Sequence, residues 1–421
     1  MAKKCLIYAP AVGRGGVRRV IETLCQQFDK QRGWEFAILG QTFDELGDRI
    51  DWPEGWTFTQ IRPVDKLPLH PKQFDFLMRN RGEFFAHLQE VAGEYDVVFC
   101  PTPWWGFIGV DPVETPVVSF VPDFAFDMID MSQMLQAYFR GISPIIANHS
   151  AHTIFPSKFQ QAYGDEHFGF AGKSSVIYFS TDVASPMVDA RVDRAADEAA
   201  ADRAGPVPTG DNVLSGDNIS SVRLKYGLPE GYVLAFHCYG HKAAEVIIRA
   251  QYFARKRSRR VPVLVIAGLQ TELYLKPGLD HSHELMIQET IRQSAGKIGR
   301  DVLILGPVAD EDVSLLHAAA TVCVTATRSE GGLSGTMLEA MRVGTPIIAT
   351  ELEVFTERIP DEDVIYFPVD DAEALGAALV QVCEQPEKAL ARAAALKAKV
   401  DGYTIKDVAK QYMDVFRMVM K

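Results

Sequence analysis

At 421 residues the chain exceeds what one hydrophobic core usually organises, so two domains are the starting expectation. With 47% hydrophobic and 23% charged residues it has the composition of a globular protein, which argues against disordered and membrane-spanning classes. A formal charge of −12 argues against nucleic-acid binding, because such proteins neutralise phosphates with clustered Lys and Arg; a phosphate-bearing ligand would have to be met by local cations.

The chain runs from Met1-Ala2-Lys3-Lys4 straight into the short run Cys5 to Tyr8, without the apolar stretch and cleavage site of a signal peptide. No segment approaches the roughly 20 apolar residues of a membrane-spanning helix. The expected location is cytoplasmic, with the inner face of the membrane as an extension of it. Six cysteines occur singly, mostly in apolar runs, which predicts buried reduced thiols and no metal cluster.

Short β-rich runs alternate with helical patterns, the signature of parallel sheets covered by helices on both faces. Predicted strands of the first half are Cys5 to Tyr8, Phe36 to Leu39, Val97 to Cys100, Val117 to Phe120, Ile145 to Ala147 and Val176 to Tyr178. Those of the second are Val233 to Phe236, Val263 to Ile266, Val302 to Leu305, Val322 to Thr325 and Ile347 to Ala349. The fold class is therefore α/β, with two doubly wound parallel sheets.

After the first strand comes Gly13-Arg14-Gly15-Gly16, then a helix with the stripe Val17, Val20, Ile21, Leu24 and Phe28. Such a turn lets the backbone N–H groups of Gly15 and Gly16 approach an anion at a helix N-terminus, although a tight turn alone also explains it. Arg18 stands where a dinucleotide fingerprint needs its third glycine. Lys66 to Leu88 mixes cations with aromatics, as a solvated helix face over the core or as a surface for a membrane or a lipid-linked acceptor. From about Val183 to Ser221 the composition shifts to Ala, Asp, Arg, Gly and Pro, too little apolar surface to offset ordering, so a mobile linker is predicted there. The tail from Thr404 presents Val408, Tyr412, Val415, Phe416 and Val419 on one helical face, with Thr404 and Asp407 as a cap.

The most informative stretch is Arg328-Ser329-Glu330-Gly331-Gly332-Leu333-Ser334-Gly335-Thr336-Met337-Leu338-Glu339, continuing through Gly344-Thr345-Pro346. It follows a strand, where open α/β sheets place ligands. Backbone N–H groups of Ser334, Gly335 and Thr336 could cap a pyrophosphate, Glu339 could accept both hydroxyls of a ribose, and Glu330 could accept sugar hydroxyls or stand as an exposed loop carboxylate. This stretch resembles the signature of glycosyltransferase family 4, retaining enzymes of the GT-B fold in which two glutamates bracket a glycine-rich loop before Leu-Glu-Ala-Met and Gly-Thr-Pro-Ile. One more residue separates the two glutamates here, and Ser334-Gly335 stands where Pro is common.

The resemblance extends to other segments. Leu305-Gly306-Pro307-Val308 is similar to the family's contact with the nucleotide base, which implicates Val308. Phe236-His237-Cys238-Tyr239-Gly240-His241-Lys242 looks like its phosphate-binding turn, implicating Lys242 and His241, each with a purely structural alternative. Arg328 is a further candidate cation. Val121-Pro122-Asp123 resembles a site where the family carries His-Asp, so Asp123 faces the transferred sugar or caps the next segment, while Pro122 removes a polar contact. Asn148-His149-Ser150 is similar to a turn of the acceptor domain, where His149 lines the cleft or serves structure.

The resemblance implies a GT-B protein with two Rossmann-like domains: residues 1–182 for the acceptor, 183–221 as linker, 222–400 for the nucleotide-sugar, and 401–421 as a helix returning to the first domain. It implies a retaining transfer from a nucleotide-sugar to a hydroxyl of a glycan, lipid-linked or other acceptor, with Lys242, Glu330, Asp123 and His149 at the reacting centre. No cofactor, metal or nucleic-acid partner is expected. The alternatives are a non-catalytic nucleotide-sugar-binding or scaffolding paralogue, and a GT-B epimerase or phosphorylase.

Overall fold

The computed structural model describes residues 2–13, 16–44, 49–63, 68, 72–127, 132–180, 215–236, 240–268, 282–294, 297–306 and 308–420. The first sheet holds seven parallel strands in the order β3-β2-β1-β4-β5-β6-β7. These are β1 (Lys3–Ala9), β2 (Trp34–Gly40), β3 (Thr57–Gln60), β4 (Val97–Cys100), β5 (Val117–Phe120), β6 (His152–Phe155) and β7 (Ser174–Val176). Helices α1 (Gly16–Phe28), α2 (Lys72–Val91), α3 (Gln133–His149) and α4 (Lys158–Phe168) cover it.

The second sheet has six parallel strands in the order β10-β9-β8-β11-β12-β13: β8 (Val233–Phe236), β9 (Leu264–Ala267), β10 (Val302–Gly306), β11 (Val322–Thr325), β12 (Ile347–Thr350) and β13 (Ile365–Phe367). Its helices are α5 (Gly216–Tyr226), α6 (Ala244–Arg257), α7 (Ser282–Gln293), α8 (Asp310–Ala319), α9 (Gly335–Val343), α10 (Glu353–Thr356), α11 (Ala372–Glu384) and α12 (Pro386–Asp401). Central strands buried on both faces, such as Val97–Cys100 and Val322–Thr325, are continuous apolar or β-branched runs, as parallel sheets require.

The last helix, α13 (Ile405–Val419), opens on a capping box between Thr404 and Asp407. It lays Tyr412 and Phe416 against Phe28 and Phe99 of the first domain. Both side chains are fully buried, each worth about 1.5–3 kcal/mol relative to exposure. The chain thus leaves the first domain at residues 178–180 and returns to it at 403–405. Ser180 Oγ donates to the Tyr403 carbonyl (2.8 Å), and Tyr403 Oη donates to the Tyr178 carbonyl (2.8 Å).

Some element predictions need correction. Ile145 to Ala147 is no strand: it is the last turn of α3, whose buried residues include Ile142 and Ile146. The strand lies just beyond, at His152–Phe155, with polar His152 and Thr153 buried in it. The segment assigned to the linker also ends early, because Ser215 caps α5 and Val222 is buried. Residues 181–214 lie outside the described ones. The five described cysteines are buried free thiols, and Cys238 lies outside. In α2 the aromatic side chains Phe84 and Phe85 point into the core.

Candidate functional site

In the second sheet the strand order reverses between β8 and β11, the switch point where open α/β sheets bind ligands. The loops after these two strands carry the predicted site. Beyond β8 a single turn, Gly240–Lys242, presents Lys242; beyond β11 the loop 326–334 leads into α9. Lys242 Nζ pairs with Glu330 Oε1, and both side chains are largely shielded. Ser334 is the N-cap of α9, its hydroxyl accepting from the Met337 N–H at 3.2 Å, and Gly344 ends the helix in the left-handed conformation. Gly335 and Thr336 are thus its first two residues, whose N–H groups have no partner within a helix. Lys242, Ser334 and Thr336 line a cavity of about 10 Å³ together with Phe236 and the end of β11.

Glu339, one turn into α9, is only 3% exposed. Its Oε1 pairs with Arg19 of α1 from the other domain, and its Oε2 lies 3.6 Å from Nε2 of the fully buried His317. His317 stacks on Phe236, with ring centroids 5.3 Å apart. His241 stands next to Lys242. Burial, with the charges of Lys242 and Arg328 behind it, pushes its pKa down to about 4, so it is neutral at pH 7. Arg328 pairs with Glu245 and Asp370 and also donates to the Gly240 carbonyl (3.2 Å). It therefore buttresses the Lys242 turn and does not act as a second free cation. Val308 sits just past β10, half-buried, at the same edge of the sheet.

The first domain closes over this loop. A Cβ on Gly331 would run into the Pro122 carbonyl oxygen and stand 3.1 Å from the Asp123 Cβ; one on Gly332 would be 3.0 Å from the Pro156 carbonyl oxygen. Only a chain without side chains passes here. Ser157 Oγ donates to the Gly331 carbonyl, 2.6 Å, and Gln160 Nε2 donates to the Glu330 carbonyl, 3.2 Å. Gln160 Oε1 in turn accepts from the Phe124 N–H, 3.0 Å. Asp123 therefore faces the Glu330 loop. Gly16 opens α1 three residues before Arg19, whereas Gly15 lies outside the described residues.

His149 is not brought to the cleft. It ends α3, three residues before β6 starts, at the sheet edge opposite the site. Its ring is buried against Phe85 and stacked on Phe107, 5.0 Å in each case, and Nε2 lies 3.3 Å from the Gly109 carbonyl. Burial lowers its pKa. It is a core histidine.

Sequence reasoning missed Arg19, Ser157, Gln160 and His317, and it missed Thr325, which lines the cavity and whose buried Oγ1 has no hydrogen-bond partner among the described residues. Only Thr325 left a signal, as a polar residue ending an apolar strand. Among the described residues no group of three or more His, Cys, Asp or Glu could hold a metal ion, and no helix is long and apolar enough to cross a membrane.

Residues 231–385 match the family described as Glycosyl transferases group 1. Over 134 residues the chain is 28% identical to a phosphatidyl-myo-inositol mannosyltransferase of Mycolicibacterium smegmatis, and over 133 residues 29% identical to one of Mycobacterium leprae. These matches cover 31% of this chain and 34% and 36% of the relatives, so the chain spans about a third of the length of the curated relatives it matches. The whole fold is similar to sucrose-phosphate synthase from Thermosynechococcus elongatus (TM-score 0.72, 18% identity, 100% and 99% of the two chains covered). It is also similar to Anabaena HepE, solved with UDP and glucose (TM-score 0.70, 14% identity, 99% and 100% covered). At these identities the structures speak for the fold alone.

Proposed function

Because residues 231–385 belong to the glycosyl transferases group 1 and the fold is GT-B, we propose that the protein is a retaining glycosyltransferase, moving a sugar from a nucleotide-sugar to a hydroxyl of a glycan, lipid-linked or other acceptor. The observation that carries this reading is the convergence, at one switch point, of Lys242, Glu330, the N-terminus of α9 and the shielded carboxylate of Glu339. Each has one task. Glu339 accepts the ribose hydroxyls, the N–H groups of Gly335 and Thr336 meet the diphosphate, and Glu330 accepts hydroxyls of the transferred sugar. That Anabaena HepE has been solved in complex with UDP-glucose supports the donor class.

The chemistry follows from the charges. As the glycosidic bond breaks, the leaving diphosphate gains negative charge, and Lys242 with the helix N-terminus stabilises it without a resident metal. The acceptor hydroxyl attacks from the same face and passes its proton to the departing diphosphate oxygen as the glycosidic bond breaks, so the anomeric configuration is kept. Asp123, which stands against Gly331, receives the sugar edge in this reading. Since Lys242 is held by Glu330 and the cavity that Lys242 lines measures about 10 Å³, donor entry has to part this ion pair. Closure of the domains over the donor then excludes water.

The test is a panel of UDP-, GDP- and ADP-sugars with EDTA present, read by release of nucleoside diphosphate. We expect one donor class to turn over, K242A to lose about 10²–10³-fold in kcat, and the product anomer seen by NMR to match the donor. No turnover with any donor, or full turnover by K242A, would sink the reading.

A further inference from the structure

Arg342 lies on α9 one turn beyond Glu339 and is only 5% exposed. Its Nη2 donates to Ser180 Oγ (2.7 Å) and to the Tyr403 carbonyl (2.8 Å). Ser180 stands where the chain leaves the first domain, and Tyr403 stands at its return. One guanidinium therefore grips both crossings from the helix that carries Glu339.

From this geometry we infer that Arg342 is a positioning residue, fastening α9 to the two interdomain crossings so that α9, and the nucleotide that Glu339 holds, stand at a set angle to the first domain. The inference rests on Glu339 being a donor ligand. Burying a guanidinium is costly, and an apolar side chain of similar volume often does as well for stability. Among the described residues Nε has no hydrogen-bond partner, and Nη1 is 4.0 Å from the Asp401 carboxylate. An arginine incompletely satisfied in this way is poorly explained as a stabilising device. Its bonds from α9 to both crossing segments are what an apolar residue could not supply.

The fastening continues to the other glutamate. Arg358, just past α10, lies over the rings of Tyr178 (4.3 Å) and Tyr403 (5.6 Å). The neighbouring Glu357 accepts from the N–H groups of Lys158 and Phe159 at the start of α4, at 3.2 and 3.1 Å. The same end of α4 supplies Ser157 and Gln160, which hold the backbone of Glu330 and Gly331. Both site glutamates are thus tied to the crossings, Glu339 through Arg342 and Glu330 through α4.

Full-length R342M, R342K and S180A compared with the wild type test this by hydrogen exchange, binding of UDP, GDP and ADP, and sugar transfer. In R342M, amide exchange should rise together at 178–180, 335–343 and 403–405 while β8 stays unchanged. The nucleotide that binds the wild type should bind R342M within about threefold, while kcat falls about tenfold. R342K should recover part of that loss. Exchange and kcat that match the wild type overturn the inference, and so does a loss of nucleotide affinity as large as the loss of kcat, which would make Arg342 a local prop of α9. If no nucleotide binds the wild type, the donor reading fails while the exchange pattern still decides the fastening. Should R342M not fold, S180A removes one hydroxyl and should move exchange and kcat the same way, by about threefold; an S180A identical to the wild type would overturn the inference.

Discussion

The two faces of the cleft share a strand order and differ in material. In each sheet the order reverses beside the domain's first strand, between β1 and β4 in one and between β8 and β11 in the other. At the second switch point stand charges: Lys242 against Glu330, with Arg328 held by Glu245 and Asp370 beneath them. At the first stand rings: Tyr8 beside Phe107, then Trp104 against Phe124, and Trp105 stacked on Tyr138 with centroids 5.2 Å apart. In the proposed reading a diphosphate and a ribose would impose a fixed set of donors and acceptors on the charged face, and the aromatic face would be shaped to the acceptor.

The sharpest way to break this division is Gly331, where the faces touch. In G331A the new methyl group meets the Pro122 carbonyl, and the loop has to move away from Asp123. Misplacement of reacting groups by about 1 Å can cost about 10²-fold in rate, which is the fall in kcat expected. Nucleotide affinity, read by calorimetry, should stay within about threefold, because α9 and Glu339 lie beyond the disturbed turn. If affinity fell with kcat, the two faces would have to be treated as one site.

The same division explains what could be read from the sequence. The donor side is local: Glu330, Ser334 and Glu339 follow one another within a strand, a loop and a helix, so their spacing carried the geometry. What joins the domains is not local. Arg19 and Glu339 are 320 residues apart and Ser157 and Gly331 are 174 apart, and no periodicity reports such pairs. The strand error has a physical origin as well. Ile145 to Ala147 is a β-like apolar run just after Pro144, yet it completes a helix, while the buried strand begins with His152 and Thr153, whose polarity hides it. Reading that run as a strand put His149 at the wrong edge of the sheet.

A second test compares histidines on the two sides. His241 has its pKa lowered to about 4 by burial and by Lys242 and Arg328, whereas His149 and His152 are lowered chiefly by burial. For each, the unfolded chain takes up its proton near pH 6.5 and the folded one only at lower pH. The stability concerned is therefore fully present above about pH 6.5 and declines as pH falls toward each folded value. For His241 that window runs from about 6.5 to about 4. In the difference between wild-type and H241N denaturation curves it should amount to at most about 3 kcal/mol, and 1 M salt should shrink it by screening the two cations. A difference curve flat across this window would mean that His241 is no more perturbed than a surface histidine.

The smallest effect has the most informative sign. Arg19 is the first domain's one described cation paired with a donor-side carboxylate, and it occupies the oxygen that Glu339 would offer to a ribose. Its side chain is 39% exposed, so the pair is worth about 0.2–1 kcal/mol after solvent screening. In the proposed reading a nucleotide has to displace it. R19A should therefore bind the nucleoside diphosphate more tightly, by about two- to fivefold, because the competing partner is gone. If Arg19 were itself a ligand of the diphosphate, R19A would bind more weakly. Calorimetric titration of wild type and R19A with the same nucleotide separates the two, and weaker binding would mean that the aromatic face lends a cation to the donor after all.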